Sequence, residues 1–289
     1  MSKFTSSTAR SDSTIPTSTS LEKIYEDPTW KFTNTQDLFE KINSVSGDFL
    51  IVTDVSPSSF AQIEKERSIR RRRFRWRRYY VEPHVLIIAI PTAVHESLHI
   101  TLYMEYQSQL CRIGIQNTWA TKGASTFQAS HPEGDSAEGD SSGGPRPQRK
   151  GNNWPTLVIE AGDSESLNQL RMDMRWWFAV SDHKVKIVIL AKLDRRQPKI
   201  ILEKWEEEAA TRLGATTTRR AAALQPVLKQ EIMISHDETT SPISYNVTKG
   251  PLVLEFRLLY LREPGPQESD FIISISDLQR YAEAVWDKV

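Results

Sequence analysis

Three acidic side chains stand where a carboxylate needs a reason to be. Glu160 lies in the apolar run TLVIEA (156–161), Asp140 in the Gly/Ser-rich stretch EGDSSGG (138–144), and Glu96 inside HESLH (95–99). A buried carboxylate without a partner is costly, so Glu160 asks for one. A divalent cation would serve, and so would an Arg or a Lys; the residues alone leave both open. With a cation, Asp140 and Glu160 could hold Mg²⁺ while water fills the remaining octahedral positions, and the metal would activate a water against a phosphodiester. Asp135, in a similar EGDS context five residues earlier, competes with Asp140 for this role. A solvated loop acid is the plain alternative for either.

A rival signal is HESLH itself. His95 and His99 at i and i+4 share one helix face and could both ligate Zn²⁺, with Glu96 as general base. The sequence offers no convincing third ligand, and the two histidines fall within an apolar stripe, so zinc is the lesser expectation beside magnesium. The run RRRRFRWRR (70–78) is a further candidate. Arg71, Arg73, Arg75 and Arg77 alternate with Phe74 and Trp76, which suggests a strand with a basic face that could track phosphates while Trp76 stacks on a base. Its plain alternative is a solvated edge strand whose arginines pair with Glu64 and Glu66.

The segment WPTLVIEAGDSESLNQLRMDMRWWFAVSDHKVKIVILAKLD (154–194) resembles the core of a large group of mostly uncharacterised fungal proteins assigned to the PD-(D/E)XK, restriction-endonuclease-like superfamily. The similarity extends to LIIAIPTAVHESLH, IILEKWEE, GPLVLEFRLLYLREP and SDFIISISDLQRYAEAVW, and so covers most of the chain from about residue 30. It implies a metal-dependent nuclease, active or degenerate, acting on DNA or RNA, with Glu96, Asp140 and Glu160 as the acidic set. The superfamily's lysine two residues after the strand acid is missing, because Ala161 and Gly162 follow Glu160. Lys192, Lys186 or Gln169 would have to substitute. That gap favours the alternative of a non-catalytic nucleic-acid-binding or protein-interaction module on the same fold; a zinc metallopeptidase through HESLH is the third reading.

The elements that must position these groups follow from periodicity. A helix is expected over Thr35–Ile42, capped by Thr33 or Thr35, and strands over Phe49–Thr53, Val85–Ile90 and Thr156–Ala161. A helix opened by Thr92 should run to about Leu110, with Val94, Leu98, Leu102, Tyr106 and Leu110 facing the core. Residues 121–153 read as a long loop, mobile over 129–153. A helix over Ser166–Val180, with Trp176 and Trp177 as core anchors and Asp173 as a surface or capping acid, joins strands that should pair in parallel. Strands are expected over Val185–Leu193, Lys199–Trp205, Glu231–Ser235, Leu252–Tyr260 and Phe271–Ile275, a helical insertion over 206–230, and a closing helix from Asp277 to Trp286. The fold class is therefore α/β, a mixed central sheet flanked by helices with a β-rich C-terminal extension. Its parts are a disordered tail (1–20), an N-terminal extension with the basic strand (21–80), a core (81–205), the insertion, and the extension (231–289).

At 289 residues the chain can bury one sizeable core with small additions. The 37 basic and 37 acidic side chains cancel, so attraction to a polyanion would need a local patch. Cys111 is the single cysteine, which excludes an internal disulfide and reads as a buried spectator in a reducing compartment. With no apolar run of membrane-spanning length, the expectation is a soluble protein of the cytoplasm or nucleus.

Overall fold

The computed structural model describes residues 29–70, 74–123, 125–129, 135–209 and 224–289. In chain order the elements are β1 (Trp30–Lys31), α1 (Thr35–Ser44), β2 (Phe49–Thr53), α2 (Pro57–Ile69), β3 (Arg75–Tyr80), β4 (Val85–Ala89), α3 (Ala93–Arg112), β5 (Trp119–Thr121), β6 (Thr126–Gln128), β7 (Ser136–Glu138), β8 (Ser141–Pro145) and β9 (Leu157–Gly162). There follow α4 (Leu167–Val180), β10 (Ile187–Asp194), β11 (Lys199–Ala209), β12 (Leu224–Asp237), β13 (Ser244–Thr248), β14 (Leu252–Leu254), α5 (Phe256–Tyr260), β15 (Phe271–Ile273) and α6 (Ile275–Trp286).

Two mixed sheets result, ordered β1-β2-β4-β3-β7-β6 and β13-β12-β11-β10-β9-β8-β5, with β14 and β15 as a separate pair. The expected parallel pairing across α4 is present: Val158 faces Val188 and Glu160 faces Leu190 along β9 and β10. Alternation along β9 divides the second sheet between two cores. Leu157, Ile159 and Ala161 pack with Val94, Leu98, Leu102, Tyr106 and Leu110 of α3, while Val158 packs with Leu170, Met174 and Trp177 of α4. That second core also receives Ile51, Tyr80 and Ile87 from the first sheet. The opposite face of the first sheet packs Leu50, Val52, Trp76, Leu86 and Ile88 on Leu38, Phe39, Phe60 and Ile63 of α1 and α2. Each fully buried Leu or Ile contributes about 1.5–3 kcal/mol relative to exposure.

The helix termini are chemically specified. Thr92 caps α3 through His95 N, and Ser166 and Gln169 form a reciprocal capping box at the head of α4. Asn34, rather than Thr33 or Thr35, caps α1, and its side-chain oxygen accepts from Asp37 N.

Several expectations need correction. The basic run is not one strand: Arg70 closes α2, a helix absent from the sequence reading, and β3 begins only at Arg75. Residues 121–153 carry three strands, because β6 and β7 extend the first sheet and β8 pairs with β9. The helical insertion is largely strand where it is described: β11 runs on to Ala209, and β12 starts at Leu224 and pairs with β11 along its length. Leu252–Tyr260 splits into β14 and the short helix α5, and Cys111 is exposed. The tail over 1–20, Arg71, Arg73 and residues 210–223 lie outside the described residues. No helix among the described residues is long and apolar enough to cross a membrane.

Candidate functional site

The two sheets and α3 converge on a buried cluster of charge, and a β-bulge aims its centre. In the β3–β4 pairing Trp76 faces Ile88 and Arg78 faces Ile87, so Arg77 is an extra residue in β3. A bulge of this kind re-aims side chains. Here it leaves Trp76 packed against the α1 and α2 side while Arg75, Arg77 and Arg78 all bond to groups of the α3, β8, β9 and α4 side. The basic strand is therefore an internal strand, which corrects the expectation of a phosphate-tracking face. Trp76 and Arg77 are buried, and Trp76 packs edge-on against Phe60 and Phe74 rather than standing open for a base.

Arg77 is fully enclosed by acids. Its Nη1 donates to Asp140 Oδ2 at 3.1 Å and to Glu160 Oε2 at 2.5 Å. Nη2 donates to the Ala161 carbonyl at 2.6 Å and to Glu165. The remaining oxygen of Glu160, Oε1, accepts from Trp177 Nε1 at 2.5 Å. Beside it Arg78 pairs with Asp173 at 2.5 Å and lies 4.0 Å from the Trp176 ring, so Asp173 is a buried partner and not a surface acid.

Burial drives Glu160 up to about 8; Arg77 opposes that shift, and the Asp140 and Asp173 charges add to it. Glu165 rises to about 8 by the same balance. Asp140 goes the other way. Burial would raise it, but Arg77 and His95 hold it well below the usual carboxylate range. Beside Arg77, Asp140 is favoured as the ionised partner, and the crowded Glu160 and Glu165 are pushed towards the protonated form.

The outer side of the cluster is built by α3. His95 Nδ1 contacts Asp48 Oδ2 at 3.0 Å, and Asp48 is itself held by the backbone N–H groups of Asp163 and Ser164 at 2.8 and 2.9 Å. His99 Nδ1 contacts Ser141 Oγ at 2.8 Å. The other ring nitrogens point at one spot: His95 Nε2 lies 3.1 Å from Asp140 Oδ1, and His99 Nε2 lies 3.3 Å from Glu96 Oε1. Arg75 enters from β3, with Nη2 on Glu96 at 2.6 Å and Nη1 at 3.2 Å from Asp140 Oδ1. Burial opposes charge on the His95 ring, but Asp140 and Asp48 on either side raise it to about 10. Burial lowers His99, against the pull of Glu96 and Asp140.

The structure thus brings Glu96, Asp140 and Glu160 to one cluster and leaves other candidates out of it. Lys192 Nζ donates to the carbonyls of Asp163 and Leu193 at 2.6 and 2.7 Å, and Lys186 Nζ to the His183 carbonyl, so neither takes the place of the absent lysine. Gln169 serves the α4 cap, where its side-chain oxygen accepts from Ser166 N. Asp135 accepts from Val81 N on the first sheet. Glu165 and Asp48 are central residues that the sequence reading did not single out, and Arg77, expected on a phosphate-facing strand, is instead the centre of the cluster. The signal for Arg77 was present in the basic run, but only the bulge turns it inward.

Whether Asp140 and Glu160 fit a shared Mg²⁺ can be judged from their oxygens. A small hard cation needs near-octahedral oxygen ligation and keeps several waters. The Arg77 Nη1 group lies between the two facing oxygens, Trp177 caps the third, and the fourth faces imidazoles and a second guanidinium. These residues do not fit a hydrated magnesium ion shared between the two acids. No family model matches the chain, and no curated protein matches it.

Proposed function

We propose that this chain is a restriction-endonuclease-like domain that does not cut nucleic acid, and that it works as a protein-interaction module on that scaffold. The observation that carries this reading is the Arg77 guanidinium, bonded to Asp140 and Glu160 at the position where a nuclease of this kind would keep its metal. A buried guanidinium is always charged and cannot be displaced without leaving several acids unpaired. The order α3, β8, β9, α4, β10, with Asp140 at the head of β8 and Glu160 on β9, supports the ancestry that the sequence resemblance implies. The inward-turned β3 and the formal net charge of +0 favour a protein partner over a polyanion.

The test is incubation of the purified full chain with labelled single- and double-stranded DNA and RNA in Mg²⁺ or Mn²⁺, beside calorimetric titration of Mg²⁺. No metal-dependent cleavage and no saturable Mg²⁺ binding are expected. Cleavage that disappears in Glu160→Ala would overturn the reading and restore the nuclease. Duplex binding that weakens steeply with salt would sink the choice of a protein partner.

A further inference from the structure

The two oxygens of Asp140 have different tasks. Oδ2 is committed inward, to Arg77 Nη1 at 3.1 Å and to the backbone N–H of Ala161 at 2.9 Å. Oδ1 faces outward to His95 and Arg75. From this outer side we infer a binding site for a zinc-class divalent ion, ligated by His95 Nε2, His99 Nε2 and Asp140 Oδ1.

Four observations carry it. The candidate ligand atoms of His95, His99 and Asp140 all lie within 4.8 Å of one another, against ~3.3 Å between neighbouring ligands of a tetrahedral zinc with bonds of about 2.0–2.2 Å. Small rotations of the His99 ring and the Asp140 carboxylate would close the set. The second observation is the buried His95 Nε2: it makes no hydrogen bond of proper geometry, and with Asp140 Oδ1 3.1 Å away the two atoms face the same spot. Third, the far nitrogen of each ring is held in the manner of a metal ligand, His95 Nδ1 by the Asp48 carboxylate and His99 Nδ1 by Ser141 Oγ. Such outer contacts fix ring orientation and direct the free nitrogen at the ion. Fourth, the place already attracts a cation, since Arg75 Nη1 lies 3.3 Å from His99 Nε2 and 3.2 Å from Asp140 Oδ1.

An ion and Arg75 exclude one another, and an ion on His95 Nε2 also displaces the proton that Asp140 favours there, so binding releases a proton to solvent. The Arg75 side chain is 13% exposed and its partner Glu96 30%, so this pair forms the mouth and can turn outward together. The vacated fourth position would face Glu96 and solvent. Two imidazoles and one carboxylate oxygen select zinc or cobalt over magnesium. The inference is independent of the proposed function, because it uses the opposite oxygen of Asp140 and leaves Arg77 in place.

Equilibrium dialysis of the full chain against Zn²⁺ or Co²⁺, followed by metal analysis and visible absorption of the cobalt form, tests it. About one ion per chain is expected, with the intense cobalt bands of a four-coordinate site. His99→Gln should weaken binding at least tenfold, Arg75→Ala should tighten it, and Glu160→Gln should leave it unchanged. The inference is overturned if neither the native chain nor Arg75→Ala, both shown to be folded by circular dichroism, binds zinc. It is equally overturned if a folded His95→Gln, His99→Gln double variant keeps full stoichiometry, which would put the ion elsewhere.

Discussion

Arg77 answers at the scale of one residue the question that Glu160 raises in the sequence. A carboxylate at the centre of an apolar strand was bound to have a partner, and metal and guanidinium were equally good solutions on paper. The structure provides the guanidinium, and with it a liability. Breaking a buried ion cluster by removing one member costs more than the cluster contributes, because the remaining charges stay buried and uncompensated. Arg77→Met keeps most of the volume but strips Asp140, Glu160 and Glu165 of their shared donor. We expect a loss of about 3–5 kcal/mol in urea denaturation. Adding Glu160→Gln should recover part of it above about pH 8, where Glu160 is otherwise ionised, with a coupling of at least ~1 kcal/mol, since the amide needs no cation and can still accept from Trp177. If Arg77→Met shifted stability by less than roughly 0.5 kcal/mol, as an ordinary surface substitution does, the cluster would not be the organising feature of the site.

At the scale of elements, the hairpin of β8 and β9 sets where Asp140 stands, and its close packing depends on Gly143. A Cβ built there would lie 2.4 Å from Trp119 Nε1 and 2.6 Å from Tyr103 Oη, two side chains that hydrogen-bond to each other at 2.8 Å. Neither can move without breaking that bond or the tilt of α3 against β8. Gly143→Ala should therefore cost about 1–3 kcal/mol, read as a lower thermal midpoint, and a variant as stable as the native chain would show that this contact is not tight. The elements that periodicity revealed were those with a single, strong pattern. The apolar stripe of α3, the FLIVT strand and the helix that joins two parallel strands are where the sequence reading put them. What stayed hidden was set by non-local pairing. The short strands β6, β7 and β8 (TFQ, SAE and SSGGP) are rich in Ser and Gly and look like loop until a neighbouring strand supplies hydrogen bonds. The same applies to the site: residue type showed that Glu160 needs a partner and the resemblance implied Glu96, Asp140 and Glu160 as one set, but the inward turn of Arg77 depends on one extra residue in a strand pairing, which no spacing rule displays.

At the scale of the molecule, the layers of helix and sheet enclose a charge cluster whose protonation belongs to the fold as a whole. In the native state Glu160 and Glu165 hold protons up to about 8 and His95 up to about 10, against ordinary values of 4.5 and 6.5. From about pH 4.5 upward the folded chain therefore binds more protons than the unfolded one, and stability falls as pH rises through 8 and then towards 10. Asp48 and Asp140, held below their ordinary range, act in the opposite sense: their contribution is present above about pH 4 and is lost on acidification. The two trends meet where the unfolded carboxylates titrate, which places the maximum near about pH 4 to 4.5. Thermal midpoints measured in constant ionic strength should peak near about pH 4 to 4.5 and decline steadily to pH 10. Glu160→Gln, which carries no titratable proton, should flatten the part of that decline between about pH 4.5 and 8 while leaving the acid limb intact. A native midpoint that stays level or rises from pH 6 to 9 would mean that these carboxyls are ionised in the folded chain, and the description of the cluster as one guanidinium shared among partly protonated acids would have to be abandoned.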